Sequence, residues 1–158
     1  MTGVSGKVLL ALIVLAGSCT GNRALKNDPV IMNGNVTGLE NQLFGKYWKL
    51  VELNGTIIDS SRNGDREAHI IFKASDNQIV GSGGCNRFSG TFEIADHQIR
   101  ISQLISTKMA CDGTDYEIEF LRKLTSSEYF FTTGNFLFLI SEGCVTAKFI
   151  SKSSGSKE

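Results

Sequence analysis

Apolar and polar positions fall into three successive patterns along the chain. Residues 8–16 form one unbroken apolar run, residues 20–43 keep no sustained period, and from Phe44 onward short runs of β-branched and aromatic residues alternate with Gly, Asn and Asp. The third pattern predicts strands over 47–53, 69–73, 78–81, 88–94, 98–102, 129–133, 135–140 and 145–150, because such runs suit a pleated, half-buried surface. Asn54-Gly55, Asp76-Asn77 and Gly134-Asn135 lie between runs and supply the positive φ of tight turns, so most neighbouring strands are expected to pair antiparallel. One segment changes period. Thr114 and Glu117 have capping-box spacing, and Tyr116, Ile118, Phe120, Leu121 and Leu124 recur at helical intervals, predicting a helix over 115–126. Its broad apolar face has to lie on the sheet or plug the end of a barrel. About eight short strands with one helix make a mainly β, α+β domain built as a barrel or a sandwich.

The apolar run follows Lys7, the one charged side chain ahead of it, and ends at Gly17, Ser18 and Cys19. At about 1.5 Å per residue it covers less than half of a hydrocarbon core of roughly 30 Å. Residues 1–18 therefore read as a secretory signal. Leu15-Ala16-Gly17-Ser18-Cys19 resembles the lipobox of bacterial lipoproteins, which implies cleavage before Cys19, acylation of its thiol and attachment to the bacterial cell envelope. Thr20 stands where an Asp would imply inner-membrane retention, so the resemblance favours the outer membrane, on its periplasmic or surface face. Ordinary secretion with Cys19 left as a thiol is the competing reading. Several acyl chains on one residue hold a protein stably where one chain is marginal, so the expected membrane contact is the lipid. Residues 19–43 read as the acylated cysteine and a flexible linker, 44–150 as the folded domain and 151–158 as a disordered tail.

Composition narrows the partners. The 158 residues carry 16 Lys+Arg against 16 Asp+Glu with no basic stripe, which argues against nucleic-acid binding by counterion release. An envelope compartment is oxidising, so the three cysteines after Cys19 need an assignment. Cys85 follows Gly83-Gly84 in a loop and Cys111 follows Met109-Ala110 ahead of the helix. These two are expected to bridge, stabilising the domain by about 3.5 kcal/mol through loop closure, with Cys144 left as a buried free thiol. Pairing of Cys144 with either of the others is the alternative.

Tyr47-Trp48-Lys49-Leu50, Ile70-Ile71-Phe72, Gly81, and the run Gly84-Cys85-Asn86-Arg87-Phe88-Ser89-Gly90-Thr91-Phe92 form the first half of a pattern. Leu104, Thr107, Met109-Ala110-Cys111, Glu117, Phe120-Leu121, Leu124, Tyr129, and Leu137 with Leu139 form the second. Together they resemble the HslJ-like META domain family over about 45–150. The resemblance implies a small, cracked, lipocalin-like antiparallel β-barrel with one helix and no established catalytic activity, in a family associated with stress responses and envelope proteins. Copper sensing does not carry over, because the chain has no Cys-x-x-Cys pair. Physically, Gly84 and Gly90 let the backbone bend or approach a neighbour, and Asn86 can tie a turn. Phe88 falls on an inward face, and Trp48 is expected in the core with its indole N–H bonded near the rim. Trp48, Gly84, Asn86, Phe88, Gly90 and Met109 are thus read as structural.

No catalytic residue, cofactor or metal is expected: the sequence lacks Gly-x-Ser-x-Gly, a phosphate-cradling loop and His-Glu-x-x-His. The expected partners are the membrane and an unidentified envelope protein, with the domain itself a monomer. Phe130, Phe131, Phe136 and Phe138 with Leu137 and Leu139 make two adjacent strands apolar on both faces. The helix is expected to cover the outer face; the competing reading is a barrel interior open to a lipid or other hydrophobic ligand. A soft-metal site on Cys85, Met109 and Cys111 is a weaker possibility that the disulfide would abolish.

Overall fold

In the computed structural model, which describes residues 42–59, 66–110 and 116–152, nine strands follow one another antiparallel. They are β1 (Trp48–Leu53), β2 (Thr56–Ile57), β3 (His69–Lys73), β4 (Gln78–Ser82), β5 (Arg87–Ala95), β6 (Gln98–Ser106), β7 (Tyr129–Thr133), β8 (Phe136–Ser141) and β9 (Cys144–Ser151), with helix α1 (Glu117–Thr125) between β6 and β7. Strand order runs β2-β1-β3-β4-β5-β6-β7-β8-β9, and β1 also pairs with β9. Eight strands thus close into a ring and β2 is appended to β1. The ring is cracked between β6 and β7, which share the single register pair Gln98↔Tyr129, flanked by hydrogen bonds from Ile99 N to Glu128 O and from Phe130 N to His97 O.

Turn chemistry explains the closures. Asn54 (φ 47°) and Gly55 (φ 78°) join β1 to β2, Asn77 (φ 50°) precedes β4, and Gly134 (φ 54°) joins β7 to β8, as these residue types dictate. The β8–β9 turn, at Glu142 (φ 52°) and Gly143 (φ 74°), and the two-residue β2 are additions to the predicted set. Strand β6 runs to Ser106, beyond the 102 expected, across a bulge at Gln103 (φ 53°). Gly90 faces this bulge, where a Cβ would come within 2.8 Å of the Ser102 carbonyl.

Alternation on the strands fills the ring with side chains. Trp48, Leu50, Ile70, Phe72, Ile79 and Phe130 are each at most 1% exposed, and Phe72 meets Phe92 edge-on at 5.1 Å. The helix belongs to this interior: Phe120 and Leu124 are fully buried, and the Phe120 ring packs 6.0 Å from both Phe88 and Phe149. It therefore plugs the ring and does not cover the outer face of β7 and β8, because its apolar side chains find a closer-packed partner inside. The outer rings of Phe131, Phe136 and Phe138 are half-buried against one another and under Lys148.

Described residues on either side of the expected 44–150 take part in its packing. Leu43, read as linker, is fully buried and its carbonyl accepts the Trp48 indole N–H at 2.9 Å. Ser151 completes β9, and Lys152, read as tail, donates its backbone N–H to Tyr47 O. Crowding at Gly81 gives a prediction. A Cβ there would fall on the His69 carbonyl and 2.8 Å from Phe88 Cζ, so Gly81→Ala should destabilise by about 1–3 kcal/mol in urea denaturation.

Candidate functional site

The family-pattern residues of both halves converge at the end of the ring where β4 turns into β5. Gly84 has φ 113°, a backbone conformation that disfavours any other residue, and its N–H donates to Ser82 Oγ at 3.2 Å. The turn delivers Asn86 to α1 and to the segment after β6. Its backbone N–H donates to Glu117 Oε1 at 2.7 Å and its Nδ2 to Glu117 Oε2 at 2.9 Å. Its Oδ1 accepts from Met109 N at 2.7 Å and from Thr107 Oγ1 at 2.9 Å, and Nδ2 also donates to Met109 O at 3.3 Å. Thr107 Oγ1 in turn accepts from Arg87 N at 3.2 Å.

Both donors and both acceptor positions of the Asn86 amide are consumed. Glu117, 8% exposed at the first position of α1, is a buried carboxylate whose hydrogen-bond partners come from the β4–β5 turn. Gly83 makes room for it, since a Cβ there would collide with the carboxylate. The capping-box reading assigned Glu117 to the helix's own cap. Instead the N-cap residue is Tyr116, which makes no side-chain cap hydrogen bond; Thr114 lies outside the described residues.

Trp48 and Phe88 lie in the core, 0% and 4% exposed. Met109 joins the circuit through its backbone alone, its side chain standing in solvent with the residue 59% exposed. Cys85 is disulfide-bonded and its Sγ lies 3.5 Å from Met109 O; Cys111, the expected partner, lies outside the described residues, as does Cys19. Cys144 is disulfide-bonded too, which corrects the expectation of a buried free thiol. A sulfur already in a disulfide is no thiolate ligand, so the soft-metal arrangement at Cys85 does not fit. Among the described residues no three His, Cys, Asp or Glu side chains are grouped to hold a cation.

A second polar cluster, which the sequence reading did not single out, sits where β1, β3 and the end of β9 meet. Glu67 accepts from Lys49 Nζ at 2.8 Å and from Lys152 Nζ. Tyr47 stacks on His69 at 4.3 Å, and Lys152 Nζ lies over the Tyr47 ring, 5.1 Å from its centre. Hydrogen bonds from Lys152 and Lys49 hold the Glu67 carboxyl down at about 2, while burial, then the Glu67 charge, pushes the Tyr47 phenol up to about 12. Because the folded state lowers the Glu67 value from 4.5, its stabilisation is present above pH 4.5 and drains away as pH falls toward 2. With the side chain 20% exposed, solvent screening limits it to below about 1 kcal/mol. Glu67→Gln should remove that part of the acid slope in urea titrations between those pH values.

The described interior is mostly apolar side chains, and two clefts open on the outside. One, of about 550 Å³, follows the crack and is lined by Glu93, Gln98, Arg100, Glu128 and Tyr129 among others; the other, about 410 Å³, lies beside Ser89, Ile105 and Thr107.

A family model described as the META domain matches residues 41–154. Six solved chains match in structure. One is the NMR structure of a protein from Burkholderia xenovorans, 21% identical, covering 85% of this chain and 97% of that one with a TM-score of 0.62. A second NMR structure is 24% identical, covers 70% and 92% and has a TM-score of 0.57. The 1.00 Å crystal structure of a DUF4847 family protein from Bacteroides vulgatus is 23% identical, covers 72% and 96% and has a TM-score of 0.52. At these identities the likeness concerns the fold. No curated protein matches.

Proposed function

The chain belongs to the META domain family, and from that premise we propose that it is an envelope-anchored lipoprotein whose non-catalytic domain serves as a stress-response or protein-interaction module. The observation that carries this reading is the closed circuit at Asn86: the side chains that mark the family spend their polar groups on one another. A motif whose donors and acceptors are internally satisfied holds a fold together, and it leaves the outer surface as the part that meets other molecules. The lipobox-like run ending at Cys19 supplies the anchor. The bridge proposed for Cys85 is to Cys111, supported by the Sγ lying against Met109, two residues from it; Cys19 is then the one other cysteine of this chain open to Cys144, in competition with acylation, and the labelling test below separates the two. A hydrophobic ligand inside the ring is disfavoured, since Trp48, Phe72, Phe120, Phe130 and Phe149 already fill it.

Expression of the full chain in a bacterial host with tritiated palmitate tests the anchor. Label should enter a product whose intact mass begins at acylated Cys19 and should disappear in Cys19→Ser. An unlabelled product released without acyl chains would overturn the reading.

A further inference from the structure

The outer wall of β7, β8 and β9 carries an apolar surface that the described residues leave uncovered. Register sets Phe131 beside Phe138, Phe136 beside Ile150 and Ile140 beside Val145. The rings of Phe131 and Phe136 lie 6.2 and 6.3 Å from that of Phe138. Lys148, opposite Phe138, holds its Nζ 4.8 Å from the Phe136 ring centre and 5.7 Å from that of Phe138. The intervening side chains of the same strands, Phe130, Leu137, Leu139 and Phe149, fill the core. Since the helix is occupied inside the ring, no other described element covers this wall. Scattered apolar surface residues need no explanation, but a contiguous patch does.

From this wall we infer a membrane-resting face that settles on an anionic bilayer surface beside the lipid anchor. The inference rests on the anchored reading above and names the partner of the surface left free. Three observations favour a bilayer. The chain enters the fold at the rim next to this wall: Gln42 Oε1 accepts from the inward-facing Thr132 of β7 at 3.4 Å, at the end of the strand that leads into the β7–β8 hairpin and Phe136. Gln42 follows Cys19 by 23 positions, and that length of chain reaches at most about 80 Å, so the wall stays tethered near the membrane that holds the anchor. Phe rings and aliphatic side chains beside a lysine are the composition of a face that lies on a bilayer, with the apolar groups at the headgroup–acyl boundary and the ammonium reaching lipid phosphate. A second copy of the chain fits less well. No outward position of β7–β9 holds a carboxylate, so a symmetric contact would bury Lys148 without a partner charge.

The test uses the full acylated chain carrying Phe138→Trp, reconstituted into vesicles of phosphatidylcholine and phosphatidylglycerol with and without brominated acyl chains. The wild type, with Trp48 in the core, supplies the background. The added indole should shift to shorter wavelength and lose emission to the brominated lipid, and Lys148→Glu in the same background should restore emission. Phe131→Trp is the second probe should the first variant fold poorly, judged by the Trp48 near-ultraviolet signal. Acylated protein whose added indole is not quenched overturns the face and leaves the anchor standing. Quenching in protein whose mass lacks acyl chains keeps the face and removes the anchor, and absence of both overturns both.

Discussion

Asn86→Ala should lower the free energy of unfolding by about 2–4 kcal/mol in urea denaturation, because the loss is asymmetric. The substitution removes a side chain that fills all of its own hydrogen-bonding positions, and it leaves Glu117, 8% exposed, with a carboxylate oxygen deprived of its Nδ2 donor. It also frees Thr107 and the Met109 N–H from their shared acceptor. Asn86→Asp separates shape from hydrogen bonding. It keeps the volume but sets a second carboxylate where a donor stood 2.9 Å from Glu117 Oε2. Two carboxylates that close share one proton. The Asp variant should therefore be as destabilised as the Ala variant near neutral pH and recover relative to wild type as pH falls through the carboxylate range.

Phe120→Ala should cost more, about 3–5 kcal/mol. The Phe120 side chain is fully buried between Phe88 of β5 and Phe149 of β9, so its removal opens a cavity where helix and ring meet, and the crack beside β6 gives the ring little else to close on. Ile118, on the same helix, is 83% exposed, and Ile118→Ala should stay within about 0.5 kcal/mol. If the helix instead lay on the outer wall, Phe120 would tolerate truncation. The pair of variants, compared by urea midpoint at a common slope, reads the plug directly.

The sheet was legible because local signals and long-range packing agree in it. His69–Lys73 and Tyr129–Thr133 match the predicted bounds, since Ile70 with Phe72, and Phe130 with Thr132, alternate into the ring. Where the signals were local but the destination was not, the reading went astray. Glu117 has the spacing of a capping partner, yet its carboxylate bonds a residue 31 positions earlier, a contact that no periodicity encodes. The only hint was its place in the family pattern beside Thr107 and Met109. Leu43 lies against a linker-like composition, and only the Leu43-Phe44 pair so close to Trp48 marks it as core. The doubly apolar β7 and β8 announced two occupied faces but could not say which the helix would take. Interior demand decided: Phe120 and Leu124 are bulky enough to complete the ring's core, and the outer rings were left to Lys148 and one another.

A double-mutant cycle across Asn86→Ala and Glu117→Gln, measured by urea denaturation on the oxidised protein, goes to the centre of this account. If the turn and the helix are held by one shared polar circuit, the two substitutions together should cost less than their separate sum, by roughly 1–3 kcal/mol of coupling. Costs that add to within about 0.5 kcal/mol would contradict it, and the family-pattern residues of that turn would then have to answer to something outside the fold.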